Sequence, residues 1–375
     1  MKKILFIVIP EKGHINPSIG VAQHLQSMGH DITFYAPHDI SEQLNLAGLH
    51  NFIGPLERCS DNQGKDFAKQ VQDKVWLRNW IKELLIDNAY AGIEPLRKIV
   101  KNYDIVICDP MIYAAVIACE KENILWVALS NSLNPVLDDN ISSDLLDTVD
   151  WLSESREQLF DQIDISFRGC DALSPNLTIA FSTSDLTTRS VEGVKQVGPA
   201  KTLHQRGDEA SFPWGKIIPN IPIIYASFGS QIYHQPEIFN NLIIAISSMP
   251  VQLIAATHDL EFDSVPDKVI LCGYSPQIEI LKKSDILITH GGANSVMESL
   301  AANVPVLINP ICNDQFHQAY FLEKSKSGRL INLLTMSTEQ IREQINWALT
   351  ADISHVSESY QVDGSYQAAT LINGL

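Results

Sequence analysis

Two α/β domains, each built on a parallel sheet, are the fold class that this sequence predicts, and three observations carry it. Short β-branched apolar runs alternate with helix-like stretches along the chain, as buried strands alternate with crossover helices. The length of 375 residues exceeds one usual hydrophobic core. A stretch rich in Pro, Gly and charge, VGPAKTLHQRGDEASFPWGKIIPN at 197–220, separates two such alternating sets.

In the first set, strands are expected at residues 4–9, 31–36, 104–108, 124–130 and 177–182. In the second they are expected at 221–229, 251–256, 268–272, 285–289, 304–308 and 328–331. The opening MKKILFIVIP is similar to a signal peptide, but its apolar run is short, lacks a small-residue cleavage site and enters a Gly-His turn, so it reads as the first strand. These elements divide the chain into a domain at 1–200, a linker at 201–216 with its hinge between Gly198 and Trp214, a second domain at 217–353, and a terminal helical segment at 354–375.

Composition narrows the function classes. A net charge of −17 opposes nucleic acid and anionic membrane surfaces as partners, because both require Lys and Arg to replace counterions. With 45% hydrophobic and 19% charged residues the chain is an ordinary globular one. No apolar run approaches a membrane span, which points to the cytoplasm. The cysteines at 59, 108, 119, 170, 272 and 312 lack metal-ligand spacing and read as small buried hydrophobes in a reducing compartment, with no disulfide, zinc or other metal expected.

The segment from His290 to Gln315, HGGANSVMESLAANVPVLINPICNDQ, is the richest in chemistry. The strand at 285–289 runs into His290-Gly291-Gly292-Ala293-Asn294, and a helix follows with apolar spacing at Val296, Met297, Leu300 and Ala301. The glycines let backbone approach a ligand, and the unpaired N–H groups of a helix start suit a diphosphate without a Lys. Glu298, one turn on from Asn294, is placed to accept hydrogen bonds from ribose hydroxyls. Asn313, Asp314 and Gln315 follow the strand at 304–308, and a carboxylate beside an amide reads sugar hydroxyls; Asp314 as a helix cap is the simpler alternative. Near the amino terminus, Gly13-His14-Ile15-Asn16-Pro17 forms the loop after the first strand. His14 there is the catalytic candidate, and Asp109 directly follows the strand at 104–108.

This ordered set, GHINP, SFGS, GYSPQ and the His290 segment, resembles the nucleotide-sugar signature of family 1 glycosyltransferases, which include plant secondary-metabolite and bacterial macrolide and carotenoid enzymes. The resemblance covers nearly the whole chain. It implies the GT-B fold, two Rossmann-like domains facing a central cleft, with the C-terminal helix crossing back to the first domain. It implies an inverting, metal-independent transfer, most simply of glucose, from a UDP-sugar to a hydroxyl of a hydrophobic small molecule, with no cofactor beyond that co-substrate. His14 would be the general base paired with Asp109. The donor would be held by Gly13, Ser227, Gly229, Ser230, Tyr274, Ser275, Gln277, His290, Gly292, Ala293, Asn294, Ser295, Glu298, Asp314 and Gln315.

Two positions depart from the plant pattern. Tyr274 stands where plant members stack Trp on uracil, which leaves a dTDP-sugar open as donor. Ala293 stands where they carry another Trp, at a contact made mainly through backbone. A sugar-nucleotide epimerase and a non-catalytic nucleotide-sugar-binding auxiliary protein are the rival classes. For the acceptor pocket the sequence offers an apolar stripe at Phe67, Val71, Val75, Trp76 and Trp80, which reads more simply as core. It also offers the acidic stretch 138–164, with Trp151, Leu152, Leu159 and Phe160 interleaved, which reads as an amphipathic helix.

Overall fold

The structure, a computed structural model, describes residues 1–55, 67 and 69–375. The chain forms two compact units. The first takes Asp73–Asp208, Val362–Leu375 and the described part of Met1–Ser60; the second takes Glu209–Gln361 and the described part of Asp61–Gln72. Among its crossings between units the chain passes at 208/209 and at 361/362.

The first unit holds β1 (Lys3–Ile7), β2 (Asp31–Tyr35), β3 (Ile105–Cys108), β4 (Trp126–Ser130), a short antiparallel pair of β5 (Phe167–Arg168) and β6 (Asp171–Ala172), then β7 (Leu177–Ala180) and β8 (Val194–Gln196). Its six-stranded sheet runs β2-β1-β3-β4-β7-β8 and is parallel throughout. Strands β3, β4 and β7 are buried along their whole length, which is why their sequences read as continuous apolar runs. Strand β8 has no such run: Val-Lys-Gln lies at the sheet edge, partly exposed, and no hydrophobic pattern announces it.

The second unit holds β9 (Ile223–Ser227), β10 (Gln252–Ala256), β11 (Val269–Cys272), β12 (Ile286–Thr289), β13 (Val306–Ile308) and β14 (Gly328–Leu330), all parallel in the order β11-β10-β9-β12-β13-β14. On one face Ile224, Ala226, Ile286 and Ile288 belong to a core shared with Leu242, Ile246, Ile341 and Ile345 of the helices Pro236–Ile246 and Thr338–Ala348. Ser337 and Gln340 close a reciprocal capping box at the start of the latter. In both sheets the strand order reverses, between β1 and β3 in the first and between β9 and β12 in the second. Open α/β sheets bind ligands outside the carboxyl ends of strands at such a reversal.

The last helix, Gly364–Asn373, completes the first unit by packing on the helix Lys12–Ser27. A Cβ at Gly20 would lie 2.2 Å from the Lys201 carbonyl oxygen and 2.5 Å from Ser365 Oγ, so only glycine fits that contact. Asp363 caps the terminal helix through the Tyr366 N–H at 3.0 Å and meets His24 Nε2 at 3.2 Å. His30 Nε2 lies 2.8 Å from Asn373 Oδ1 at its far end.

Three local expectations are corrected. The GHINP segment is not a loop: residues 12–17 are the opening turns of the helix Lys12–Ser27, which tolerates Pro17 and is nearly all buried beyond His14. The stripe is core only in part: Val71 is buried, but in the helix Lys74–Lys82 the buried positions are Leu77 and Ile81, while Val75 is 71% exposed and Trp76 stacks on Trp80, both partly exposed. Residues 138–164 hold two short helices, Asp144–Trp151 and Ser153–Leu159, with Leu152, Leu159 and Phe160 buried and Trp151 exposed. Cys108, Cys119, Cys170 and Cys312 are buried. Burial pushes the Cys312 thiol up to about 12, which suits a small hydrophobe. Cys59 lies outside the described residues. Among the described residues, no helix is long and apolar enough to cross a membrane.

Candidate active site

At the reversal of the first sheet, the loop after β1 leads into the helix that carries His14, and Asp109 follows β3 directly. The backbone N–H of Asp109 still bonds the Ile7 carbonyl at 3.0 Å, which fixes this residue against the end of β1. Its carboxylate is 3% exposed, and Oδ2 lies 2.5 Å from His14 Nδ1. Oδ1 accepts the Met111 N–H at 3.0 Å. A buried carboxylate held on both oxygens fixes the plane of the imidazole that it meets. That contact selects the tautomer with the proton on Nδ1 and directs Nε2 away from the carboxylate. Gly13 adjoins in the same helical turn, and a Cβ there would touch nothing within 4 Å.

At the reversal of the second sheet, β9 ends in Ser227 and the loop Phe228-Gly229-Ser230, while β12 ends in His290-Gly291-Gly292. The two loops close on one imidazole. An ideal Cβ on Gly229 would stand 2.8 Å from His290 Cε1, and one on Gly292 2.9 Å from His290 Nε2. Gly291, at φ +97°, turns the chain so that the helix Ala293–Ala301 starts immediately, with Gly292 at its cap and no side-chain capping bond. Burial pushes His290 down to about 4, so it meets a ligand as a neutral ring near pH 7.

One turn into that helix, Glu298 Oε2 accepts Gln277 Nε2 at 2.7 Å, and the same amide nitrogen reaches Ser295 Oγ at 3.2 Å. Beneath them lies Tyr225, a residue that sequence reading passes over as one more apolar strand position. Fully buried, its hydroxyl lies 2.7 Å from Ser275 Oγ and donates to Gln277 Oε1 at 3.3 Å. Tyr225 therefore fixes which way the Gln277 amide faces. His258, also missed, lies after β10, stacks on Tyr233 at 4.0 Å, reaches Tyr274 edge-on at 6.5 Å, and has its Nε2 2.9 Å from the Gly229 carbonyl. Tyr274 itself is 39% exposed. The aromatic and histidine content of the loops after β9 and β10 was the available signal.

The residues after β13 are arranged differently from their sequence reading. Asp314 precedes the helix Gln315–Lys324 with no capping bond from its side chain. Gln315 is buried and turned back into its own loop: Oε1 accepts the N–H groups of Ile311 at 2.8 Å and Cys312 at 3.0 Å, and Nε2 faces Cys312 Sγ at 3.5 Å. Ser230 is exposed at the loop tip, while Ala293, Asn294 and Ser295 line the helix start.

Two residues further, His317 is wholly buried, and burial pushes it down to about 4. Unfolded, it titrates near 6.5, so between about 6.5 and 4 the unfolded chain binds a proton that the fold refuses. Stability therefore falls as the pH drops through that window, by about 3 kcal/mol at its lower end. In His317→Gln the acid slope of the melting temperature is expected to flatten; an unchanged slope would remove His317 as a cause. His290 acts in the same direction.

Known proteins are similar to this chain in sequence and in fold. Residues 219–355 match the family model described as UDP-glucoronosyl and UDP-glucosyl transferase. An uncharacterised UDP-glucosyltransferase of Bacillus subtilis, YojK, is 25% identical, with 98% of this chain and 94% of the relative aligned. The NDP-glycosyltransferase YjiC of Bacillus licheniformis is 26% identical across 92% of this chain and 89% of its own. Among solved structures, the glycotransferase of kitacinnamycin superposes with a TM-score of 0.73 at 17% identity, covering 100% of this chain and 98% of that one. Fold and matches together define a glycosyltransferase of GT-B architecture that uses nucleotide-sugar donors. The match to the UDP-glucosyl transferase family lies in the second unit, and the relatives aligned over nearly the whole chain are described as UDP- or NDP-dependent glycosyltransferases.

Proposed function

We propose that this enzyme transfers glucose from UDP-glucose, with inversion, to a hydroxyl of a largely apolar small molecule. The observation that carries the reading is the 2.5 Å contact of His14 Nδ1 with the buried Asp109 carboxylate at the sheet reversal. With Nδ1 committed to that carboxylate, Nε2 takes the acceptor's hydroxyl proton. The acceptor oxygen bonds to the anomeric carbon while the bond from that carbon to the diphosphate oxygen breaks, and UDP leaves with the electron pair. Asp109 holds the imidazolium that results. One displacement inverts the anomeric centre.

In this reading the start of the helix Ala293–Ala301 binds the diphosphate through backbone N–H groups and the positive end of its dipole. Neutral His290 serves as a hydrogen-bonding wall rather than as a countercharge. Glu298 takes the ribose hydroxyls, Tyr274 the base, and Asp314 the sugar. Gln315 supports the Asp314 loop instead of reading the sugar, because its amide oxygen is already committed to two backbone groups.

The test incubates the protein with UDP-glucose, and separately dTDP-glucose, against a panel of phenolic, polyketide and polyene acceptors, with and without EDTA, following nucleotide release and acceptor mass. Gain of one hexose from UDP-glucose, unaffected by EDTA, supports the reading. Preference for dTDP-glucose would move the donor assignment, and nucleotide binding without product from any acceptor would favour an auxiliary role. Tyr225→Phe tests the donor half: loss of the bond that orients Gln277 is expected to raise the donor KM roughly fivefold to tenfold with kcat nearly unchanged, a net bond of about 1 kcal/mol. An unchanged donor KM removes Tyr225 from that role.

A further inference from the structure

Asp109 has a second side chain on its reactive oxygen. Asn131, in the loop after β4, gives its amide N–H to Asp109 Oδ2 at 3.2 Å, and the same nitrogen stands 3.5 Å from His14 Nδ1. The amide cannot be turned over, since its oxygen would then face the carboxylate. In the observed orientation Asn131 Oδ1 is buried with no hydrogen-bond partner. A buried amide oxygen left without a donor is a cost to the fold. The orientation is held regardless, because the loop is tied down from below. Buried Asp171 on β6 accepts the hydroxyl of Ser130, reaches Ser132 Oγ at 3.4 Å, and accepts Asn134 Nδ2 at 2.8 Å. The residues on both sides of Asn131 are thus fixed to a second carboxylate, and Asn131 itself is turned to the first.

We infer that Asn131 is a positioning residue of the His14–Asp109 pair, setting the charge and direction of the Asp109 carboxylate and, through it, the basicity of His14. The inference rests on the reading of His14 as base. An N–H shared onto Oδ2 stabilises the anion and spreads the charge that faces the imidazole, so Asn131 restrains the proton affinity of His14. The titratable and charged groups on the surrounding elements are few. Lys12, two residues before His14 on its helix, has its amine on Gln43 Oε1 at 2.6 Å. Asp208, which accepts Asn16 on that helix, is paired with Arg206 at 2.7 Å. Glu11 precedes the helix, Asp109 is the partner itself, and Asp171 lies beneath the β4 loop.

The deciding variants are Asn131→Asp, which keeps the shape and adds a carboxylate, and Asn131→Ala. The readout is the pH profile of kcat/KM for glucosyl transfer, whose acid limb reports the base of the free enzyme. In Asn131→Asp the added negative charge favours imidazolium, so the limb is expected to move up by about one pH unit or more. In Asn131→Ala, kcat is expected to fall roughly tenfold to a hundredfold through misalignment, with the donor KM unchanged. If His14→Ala abolishes transfer but the Asn131→Asp limb stays at the wild-type pH, the inference is overturned and the base reading stands. If His14→Ala retains transfer, the base reading fails first. Should Asn131→Ala not fold, the isosteric Asn131→Asp decides alone.

Discussion

His14→Ala is expected to lower kcat/KM by roughly 10² to 10⁴, the contribution of a positioned base, while the affinity for UDP stays unchanged. The loss should fall on kcat, since the ring acts only as the acceptor oxygen becomes a nucleophile. Asp109→Asn is the informative companion. An amide at that position can present N–H to His14 Nδ1, which stabilises the tautomer carrying the proton on Nε2, and that nitrogen then has no lone pair for the acceptor's proton. The two single variants and their double should lose activity to a similar extent, because the pair acts as a unit. Steady-state rates with a productive acceptor, alongside UDP titration, make the check. Near wild-type turnover in His14→Ala would remove the ring from the chemistry.

Gly291→Ala is expected to do comparable damage by another route. At φ +97° a side chain is strained, at about 1–2 kcal/mol. The added Cβ would also stand 2.3 Å from Ile308 Cδ1 and 3.4 Å from the Gln315 carbonyl, an overpacking that costs a further 1–3 kcal/mol or about that. The turn that aims the helix start would have to open. Thermal unfolding of the second unit should move down markedly, and UDP affinity should fall at least about tenfold. Adding Ile308→Val removes the colliding methyl, so it should restore the steric part of the stability and leave the backbone part lost. A Gly291→Ala protein that melts and binds UDP like the wild type would show the turn to be unconstrained.

Sequence reading went furthest where the chain's own periodicity speaks. Buried strands such as β3, β4 and β12 are continuous apolar runs, and the two glycines after His290 announce a tight strand-to-helix turn. It failed where a side chain answers to a residue far along the chain. Tyr225 reads as strand filler because its partners, Ser275 and Gln277, come fifty residues later and on the face opposite to the Ile224 and Ala226 core. Gln315 is a local case instead: nothing in NDQ shows that its amide oxygen accepts the N–H groups of residues 311 and 312. The GHINP segment misleads differently. Gly and Pro mark a loop on local grounds, but burial along the helix Lys12–Ser27 outweighs them. Asn131 and Asp171 carry no local mark at all, since buried polar groups pair through tertiary structure.

Gly20, pressed between the Lys201 carbonyl and Ser365, has a consequence for how the protein is made. The first unit holds both β1 and the helix Gly364–Asn373, so a ribosome that has finished the sheet β1–β8 has not yet supplied the helix that seals it. The second unit, whose sheet comes from one unbroken stretch, can settle while the earlier strands still wait with one apolar helix face bare. A nascent chain stalled short of Asp363 therefore carries a first unit whose helix Lys12–Ser27 still lacks its partner.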